Sequence, residues 1–184
     1  MFDDTQADIA SNQEAGKIAV PGGAVYLRRA DETDASFLFD LFRGHTSSRL
    51  RIGGLPEGVI EQLVMMQYRA RTQSFRDRFP DACWSVIEAA GLPIGELIVT
   101  GEPDALYVVD IALDPSHRQQ GIGCALMRTV MAAGAARGGV RAMVMTGNEA
   151  SLRMFRRLGF SEIGHEDGVY LEMRWQPSAD RRER

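Results

Sequence analysis

The segment from Ala105 to Gly134 constrains the fold of this chain most, because its hydrophobic pattern changes period midway. Its first part, ALYVVDIAL, is a short apolar run that predicts a buried strand. Its last part places Ile122, Leu126 and Val130 at helical spacing, after the polar turn DPSHRQQG. A strand followed so closely by a helix must pack against further strands, so the segment predicts an α/β domain built around a sheet.

The rest of the chain supplies the other elements of this domain. Two apolar runs between Cys83 and Val99 flank the turn AGLP and predict a hairpin. Helices are predicted to begin near Asp31 and Pro56, and a short helix is predicted from Glu149 to a stop at Gly159. Hairpins come first and a βαβαβ order follows, which is typical of mixed α/β domains. The strands predicted outside the hairpin are Ala24–Arg29, Ala105–Leu113, Arg141–Thr146 and Val169–Trp175.

Length and composition indicate one globular domain. The chain has 184 residues, of which 45% are hydrophobic and 25% are charged. We predict the folded domain at residues 23–177 and flexible tails at residues 1–22 and 178–184, because both tails are polar and aperiodic. No window reaches the ~20 apolar residues of a membrane span, and the N-terminus lacks a signal-peptide pattern. The sequence therefore predicts a cytoplasmic protein with no membrane partner.

The net charge and the two cysteines argue against a nucleic-acid-binding protein and against a metal-binding protein. The net charge of -4 argues against general nucleic-acid binding, which depends on clustered basic residues that neutralise phosphates. Cys83 and Cys124 form neither a disulfide framework nor a zinc-binding pattern, so no bound metal is predicted. Basic residues still cluster locally, at residues 117–118 and 153–157. Such a local cluster suits a small polyanion better than a duplex.

Gly121 and Gly123 stand between the predicted strand and the predicted helix. Glycines let the backbone approach a ligand closely, and a helix N-terminus presents unpaired N–H groups with a positive dipole end, so an anion site is predicted here. A P-loop would need a lysine where Cys124 stands, and a dinucleotide fingerprint would need a small residue where Leu126 stands. The alternative is that the glycines serve only a tight turn.

Two motifs in order carry a resemblance to the GNAT acetyltransferase superfamily. RQQGIG, at Arg118–Gly123, matches the fixed positions of the pyrophosphate loop of that family, and NEASLRMFRRLGF, at Asn148–Phe160, resembles its later helix with a terminal Gly-Phe pair. The resemblance covers roughly Ala24 to Trp175. It implies a central mixed, mostly antiparallel sheet with a βαβ half that binds acyl-CoA, and it implies acetyl-CoA as co-substrate.

The resemblance also implies a set of cofactor-binding residues. The backbone of Ile111 and Leu113 would pair with the pantetheine amides, the loop N–H groups would surround the pyrophosphate, and Arg118 would stand beside the phosphates. Asn148 would contact the cofactor arm, although an Asn before a helix is also a good N-cap. We treat Cys124 as a packing residue, not as a nucleophile. The full predicted set is Ile111, Ala112, Leu113, Arg118, Gln119, Gln120, Gly121, Ile122, Gly123, Cys124, Asn148, Ser151 and Phe155.

The catalytic groups are less evident. Many family members carry a tyrosine that protonates the leaving thiolate where this chain has Phe155, which has no hydroxyl. The candidate bases are Asp110, which interrupts an apolar run, and Glu96, on a predicted central strand. A buried hydrogen-bonded role for Asp110 and a solvent-facing role for Glu96 are the alternatives. Tyr107 and Tyr170 are predicted to be packing residues. Either of them is an alternative proton donor for the leaving thiolate in place of Phe155.

We therefore predict an N-acetyltransferase that moves an acetyl group from acetyl-CoA to a primary amine by direct transfer in a ternary complex. The acceptor would be a small-molecule or peptide amine, and the resemblance is compatible with a homodimer. The alternative is a non-catalytic domain that binds or senses acyl-CoA, because Phe155 lacks the usual hydroxyl and fold alone does not decide function.

Overall fold

A single twisted sheet forms the centre of the molecule in this computed structural model, which describes residues 16–51 and 54–177. Within those residues, eight strands are hydrogen-bonded in the spatial order β1-β2-β3-β4-β5-β6-β8-β7. The neighbours β5 and β6 are parallel, and every other neighbouring pair is antiparallel. The strands are β1 Lys17–Val20, β2 Gly23–Arg29, β3 Cys83–Ala89, β4 Leu92–Glu102, β5 Ala105–Leu113, β6 Val140–Met145, β7 Ser161–Glu166 and β8 Tyr170–Trp175.

Helices cover both faces of the sheet. The long helices are α1 Ala35–Arg51, α2 Glu57–Arg78, α3 Ile122–Gly134 and α4 Glu149–Arg157. Leu97 and Val99 of β4 belong to the apolar cluster that contains Leu126 of α3, whereas Glu96, on the other face of β4, contacts Arg71 of α2. Because successive side chains of a strand alternate between faces, α3 and α4 lie on one side of the sheet and α1 and α2 on the other.

The structure confirms the predicted fold class, a mixed and mostly antiparallel sheet with a βαβ half. Helix α3 is the crossover between the parallel strands β5 and β6. Its apolar face, with Leu126 and Val130 fully buried, packs in the main core as the helical spacing predicts.

Strands β5 and β6 diverge along their length. They pair only from Leu106 to Val108, opposite residues 140–142. A bulge in β5 at Val109 bends the strand at the point where this pairing ends. The remainder of β5, down to Leu113, therefore has no β6 residue beside it in the described sheet, and its residues are only half-buried. This leaves a wedge that opens toward the N-terminus of α3.

Two strands were not predicted, and β1 corrects one predicted boundary. Residues 1–22 were predicted to be a tail, but Lys17–Val20 pair with β2, and Ile18 is only 3% exposed in the main core. A four-residue edge strand has too short a pattern to show alternation, so only its packing reveals it. Strand β7 was missed because most of its residues are exposed on both faces. The rest of the N-terminal tail, 1–15, and the C-terminal tail, 178–184, lie outside the described residues.

Candidate functional site

Helix α3 begins at the mouth of the wedge on a glycine in the left-handed conformation. Gly121 is the N-cap residue with φ of 80°, and no side chain caps the helix. The first N–H groups of a helix have no intrahelical acceptor, so they and the positive dipole end face the wedge mouth. A Cβ on Gly121 would lie 3.1 Å from Cγ of Pro21, in the turn between β1 and β2. Position 121 requires glycine because its φ is left-handed and because a Cβ there would crowd Pro21.

The loop before the helix is held by its own hydrogen bonds. The side chain of Asp114 accepts a hydrogen bond from the backbone N–H of Ser116 at 2.9 Å, and the Gln120 amide donates to the Ser116 carbonyl at 2.8 Å. Hydrogen bonds from Ser116 lower the pKa of Asp114, which therefore stays ionised at neutral pH. Gln119 has φ of 59°, a left-handed conformation that completes the tight turn.

Arg118 lies along the end of β5. Its Nε donates to the carbonyl oxygen of Leu113 at 3.0 Å, and its Nη2 lies 2.7 Å from Nε2 of His45 on α1. Burial lowers the pKa of His45, and the charge of Arg118 lowers it further, so the imidazole is neutral and can accept from Arg118. Contact between Arg118 and a phosphate therefore stays a prediction, and the structure places this side chain between the loop and α1.

Helix α4 lies beside the first turn of α3, where a Cβ on Gly123 would be 3.2 Å from the sulfur of Met154. Oδ1 of Asn148 accepts a hydrogen bond from the backbone N–H of Ser151 at 3.2 Å, so Asn148 is an N-cap, as its sequence context indicates. Phe155 is 2% exposed and meets the ring of Phe160 edge to face at 4.9 Å. The thiol of Cys124 is not in a disulfide and is half-buried, in keeping with a packing role. Contacts of these side chains with a cofactor stay predictions.

The bulge in β5 brings the two predicted bases to the same face of the sheet. Ile98 pairs with Asp110, whereas the next residue of β4 pairs with Val108, so Val109 is an extra residue. Because side chains alternate along a strand, the extra residue turns Asp110 to the face opposite Val108. Glu96 lies two residues before Ile98 and therefore shares that face. Both carboxylates point toward α1 and α2, away from the main core.

Arg71 of α2 joins the two carboxylates. Its Nη2 donates to Oε1 of Glu96 at 2.5 Å and also to Oδ2 of Asp110. Arg71 is not among the site residues predicted from the sequence. One signal was present, because Arg71 stands at helical spacing between Val64 and Phe75, on the stripe of α2 that faces the sheet.

Glu96 is buried and its acidity is strongly altered. Its side chain is 6% exposed, and burial raises its pKa from the ordinary 4.5 to about 7, with Arg71 lowering it and Asp110 raising it. The prediction that Glu96 is a candidate base is compatible with this value, and the alternative of a solvent-facing Glu96 is wrong. The side chain of Asp110 is 31% exposed, so the alternative of a buried Asp110 holds only in part.

Aromatic rings surround this carboxylate pair. Phe42 of α1 and Tyr68 of α2 lie with ring centroids 5.5 Å apart. Tyr107 of β5 lies apart from this pair, since it stacks on Phe79 at 5.3 Å and the charges that act on it are those of Arg78, Glu102, Glu166 and Arg141. Burial raises the pKa of Tyr107 to about 12, so its phenol keeps its proton at neutral pH. Tyr170 of β8 is exposed. Of the two tyrosines considered as substitute proton donors, only Tyr107 is buried on the sheet.

Neither a metal-binding cluster nor a membrane-spanning helix occurs within residues 16–51 and 54–177. In that part of the chain, no group of three or more His, Cys, Asp or Glu side chains is arranged to hold a metal ion. None of the helices described is long and apolar enough to cross a membrane.

Solved structures share this fold. The PaiA N-acetyltransferase from Thermoplasma acidophilum, in complex with coenzyme A, is 16% identical with a TM-score of 0.62, and the match covers 83% of this chain and 99% of that one. A GNAT family acetyltransferase from Listeria monocytogenes is 18% identical with a TM-score of 0.59, over 88% and 99% of the two chains. Mycobacterium smegmatis RimJ, in complex with CoA-disulfide, is 20% identical with a TM-score of 0.58, over 88% and 86%.

The sequence itself matches one family. No curated protein matches the chain closely enough to count as a relative. The sequence model of the acetyltransferase (GNAT) family, however, matches residues 57–160, more than half of the chain. That range spans α2, the strands that carry Glu96 and Asp110, the glycine loop, α3, β6 and α4. The chain therefore belongs to the GNAT acetyltransferase family.

Proposed function

We propose that this protein transfers an acetyl group from acetyl-CoA to a primary amine, by direct attack within a ternary complex. One observation carries the proposal: the bulge at Val109 separates β5 from β6 and also turns Asp110 toward Glu96. The same bulge thus opens a wedge for an extended ligand and sets a buried base beside it. A small-molecule or peptide amine is the acceptor class, since N-acetyl transfer requires a nucleophilic nitrogen.

The residues around the wedge fit acetyl-CoA. A pyrophosphate is an anion of the kind that a helix N-terminus binds, and the uncapped first turn of α3 starts on Gly121 with no Cβ in the way. Pantetheine carries peptide-like amides, which suit the β5 edge between Ile111 and Leu113 that β6 leaves unpaired. Coenzyme A and its disulfide are bound in the PaiA and RimJ structures, which supports the same ligand class here.

The proton transfers follow from the carboxylate pair. When bound, acetyl-CoA supplies a thioester carbonyl that an amine can attack, so that a C–N bond forms and the C–S bond breaks, with the electron pair leaving on sulfur. An alkyl amine is mostly protonated at neutral pH and must lose a proton before it attacks. Glu96, with its pKa of about 7, accepts that proton, and the half-exposed Asp110 links the pair to solvent. As the amide forms, the attacking nitrogen releases its second proton to water, and water protonates the leaving sulfur, because Phe155 has no hydroxyl to give a proton.

A non-catalytic domain that binds acyl-CoA is the second candidate, and one observation favours it. Phe155 is packed in the core against Phe160 and offers no hydroxyl to a leaving thiolate. Release of coenzyme A thiol from acetyl-CoA, measured with a panel of primary amines, decides between the two. Amine-dependent release supports the enzyme, and tight cofactor binding with no release above the no-enzyme rate supports the binding domain.

The glycine loop provides the first prediction. Gly123→Glu is expected to abolish binding of coenzyme A, because it places a carboxylate in the first turn of α3 where the pyrophosphate would lie. The variant should still fold, since an acidic residue stabilises a helix N-terminus and a Cβ at this position meets only the flexible sulfur of Met154. Binding is measured by calorimetry. Gly58→Glu is the control, because Gly58 is likewise the second residue of a helix, α2, and has open space beside it.

The affinity of the control variant and that of Gly123→Glu together test the role of the first turn of α3. Gly58→Glu should bind coenzyme A with wild-type affinity, which would show that a glutamate in the first turn of a helix does not by itself prevent binding. A folded Gly123→Glu variant with unchanged affinity would remove the first turn of α3 from the cofactor site.

Phe155 provides the second prediction. Phe155→Tyr is expected to raise kcat with little change in the KM for acetyl-CoA, because the added hydroxyl supplies the missing proton donor in the transition state. General acid catalysis typically contributes ~10²–10⁴-fold, so a poorly aligned hydroxyl still gives a measurable gain. Phe160→Tyr is the matched control, since it adds the same oxygen to the neighbouring ring. A folded Phe155→Tyr variant with unchanged kcat would show that protonation of the thiolate does not limit turnover.

A further inference from the structure

Arg71 carries a largely buried charge, and it lies outside both the glycine loop and the two sequence motifs of the family. Its side chain is 17% exposed, and its Nη2 contacts both Glu96 and Asp110. Two carboxylates this close disfavour each other's ionisation, and burial disfavours it further. A single cation between them offsets both effects. The question is whether Arg71 only neutralises charge or also sets the position and proton affinity of the base.

The guanidinium also packs against two aromatic rings. Its central carbon lies 4.7 Å from the ring centroid of Phe75, one turn further along α2, and 5.7 Å from that of Phe42 on α1. Because the planar group rests on these rings, Nη2 meets the carboxylates from one fixed direction. One nitrogen serves both partners, so the two carboxylates are held beside a common point.

We infer that Arg71 is a positioning residue, which holds Glu96 and Asp110 side by side and keeps Glu96 able to carry a negative charge. This inference rests on the proposed function, because it takes Glu96 as the proton acceptor. The residue acts through Glu96 and not on the acetyl group itself.

The electrostatics around Glu96 define what removal of Arg71 would do. The groups that face this cluster are Asp110 from β5, Arg71 and Tyr68 from α2, and His45 from α1, while β3 presents the apolar Val86 opposite Glu96. Tyr68 keeps its proton, because burial raises its pKa, and His45 is neutral, because burial lowers its pKa. Arg71 is thus the positive charge in contact with Glu96 within this cluster. Without it, burial and the charge of Asp110 both act to keep Glu96 protonated.

The test compares Arg71→Met with Arg71→Lys by two measurements. In the protein without ligands, the carboxyl carbon of Glu96 is followed by NMR as the pH is raised, which reports its ionisation whether or not the protein is an enzyme. In the Met variant, the midpoint of Glu96 ionisation is expected about one to three pH units higher than in the wild type, because an adjacent opposite charge is lost. The Lys variant should restore most of the wild-type midpoint, because one ammonium nitrogen can contact both carboxylates as Nη2 does.

The second measurement is the pH profile of kcat/KM with one amine. The acid limb of the Met variant is expected at a higher pH, displaced by the same amount as the NMR midpoint. A displacement of about two pH units would lower kcat/KM at pH 7 roughly fifty-fold. Arg69→Met is the control, because Arg69 lies on the same helix with its side chain exposed. It should leave both the midpoint and the acid limb unchanged.

The outcomes separate this inference from the proposed function. An unchanged Glu96 midpoint in Arg71→Met overturns the inference. A raised midpoint with an unmoved acid limb supports the effect of Arg71 on Glu96 and overturns the role of Glu96 as base. If Arg71→Met does not fold, Phe75→Leu tests the same point, because it keeps the charge and removes the ring that orients it. Its midpoint should lie above that of the wild type, and an unchanged midpoint there would likewise overturn the inference.

Discussion

Glu96→Gln is expected to lower kcat by about 10²–10⁴-fold, the usual contribution of a general base, while it stabilises the folded protein at neutral pH. An amide has the shape of a carboxylate and still accepts a hydrogen bond from Arg71, but it takes no proton from the amine. Cofactor binding should be unaffected, because Glu96 lies on the face of β4 opposite the main core and away from the glycine loop. The kinetic effect should therefore fall on kcat and not on the affinity for coenzyme A.

The gain in stability follows from the raised pKa of Glu96. As the pH rises from about 4.5 to about 7, the unfolded chain releases the proton of this carboxyl while the folded chain retains it, so the wild type loses stability over this window. The difference between 4.5 and about 7 corresponds to about 3 kcal/mol that is lost in full above pH 7. The amide does not ionise. Glu96→Gln should therefore match the wild type near pH 4 and exceed it by up to about 3 kcal/mol above pH 7.

Urea unfolding at several pH values, together with thiol-release kinetics, checks both parts of this prediction. Glu61→Gln is the matched control, since Glu61 is exposed on α2 and should change neither quantity. A Glu96→Gln variant with wild-type kcat would assign the proton to another group. A stability difference that does not grow with pH would show that the Glu96 carboxyl titrates normally in the folded protein.

Deletion of residues 1–20 is expected to lower the melting temperature by about 10 °C. It removes β1, whose Ile18 is 3% exposed and packs in the main core. The loss of a buried aliphatic side chain typically costs about 2–5 kcal/mol, and 1 kcal/mol corresponds to about 2–4 °C for a domain of this size. The backbone pairing with β2 from Lys17 to Val20 is lost as well. This expectation departs from the prediction from sequence that residues 1–22 are a flexible tail.

Scanning calorimetry of two shortened chains checks the effect. Deletion of residues 1–15, which lie outside the described part of the chain, is the control, and their polar and aperiodic sequence predicts little change in melting temperature. Ile18→Ala removes the buried side chain but keeps the backbone pairing of β1. It should account for most of the fall in melting temperature. Equal melting temperatures for the two shortened chains would mean that β1 contributes nothing to the stability of the core.

The amino-acid sequence alone determined the glycine-loop part of the candidate site. Strand β5, the glycine turn and helix α3 follow from the apolar run before Leu113, from Gly121, and from the helical spacing that includes Leu126. These features depend on the backbone and the period of neighbouring residues, so they can be read locally. The capping role of Asn148 is local in the same way.

Only the tertiary structure decided which charged groups meet. Arg71 is 25 residues from Glu96 and 39 from Asp110 in the chain, and the three come together through the β4–β5 register, the bulge at Val109 and the docking of α2 on the sheet. A shift of one residue in a strand moves its side chains to the other face, so without the bulge Asp110 would share the face of Val108. The sequence shows which residue types are present, but the register determines which of them share a face of the sheet.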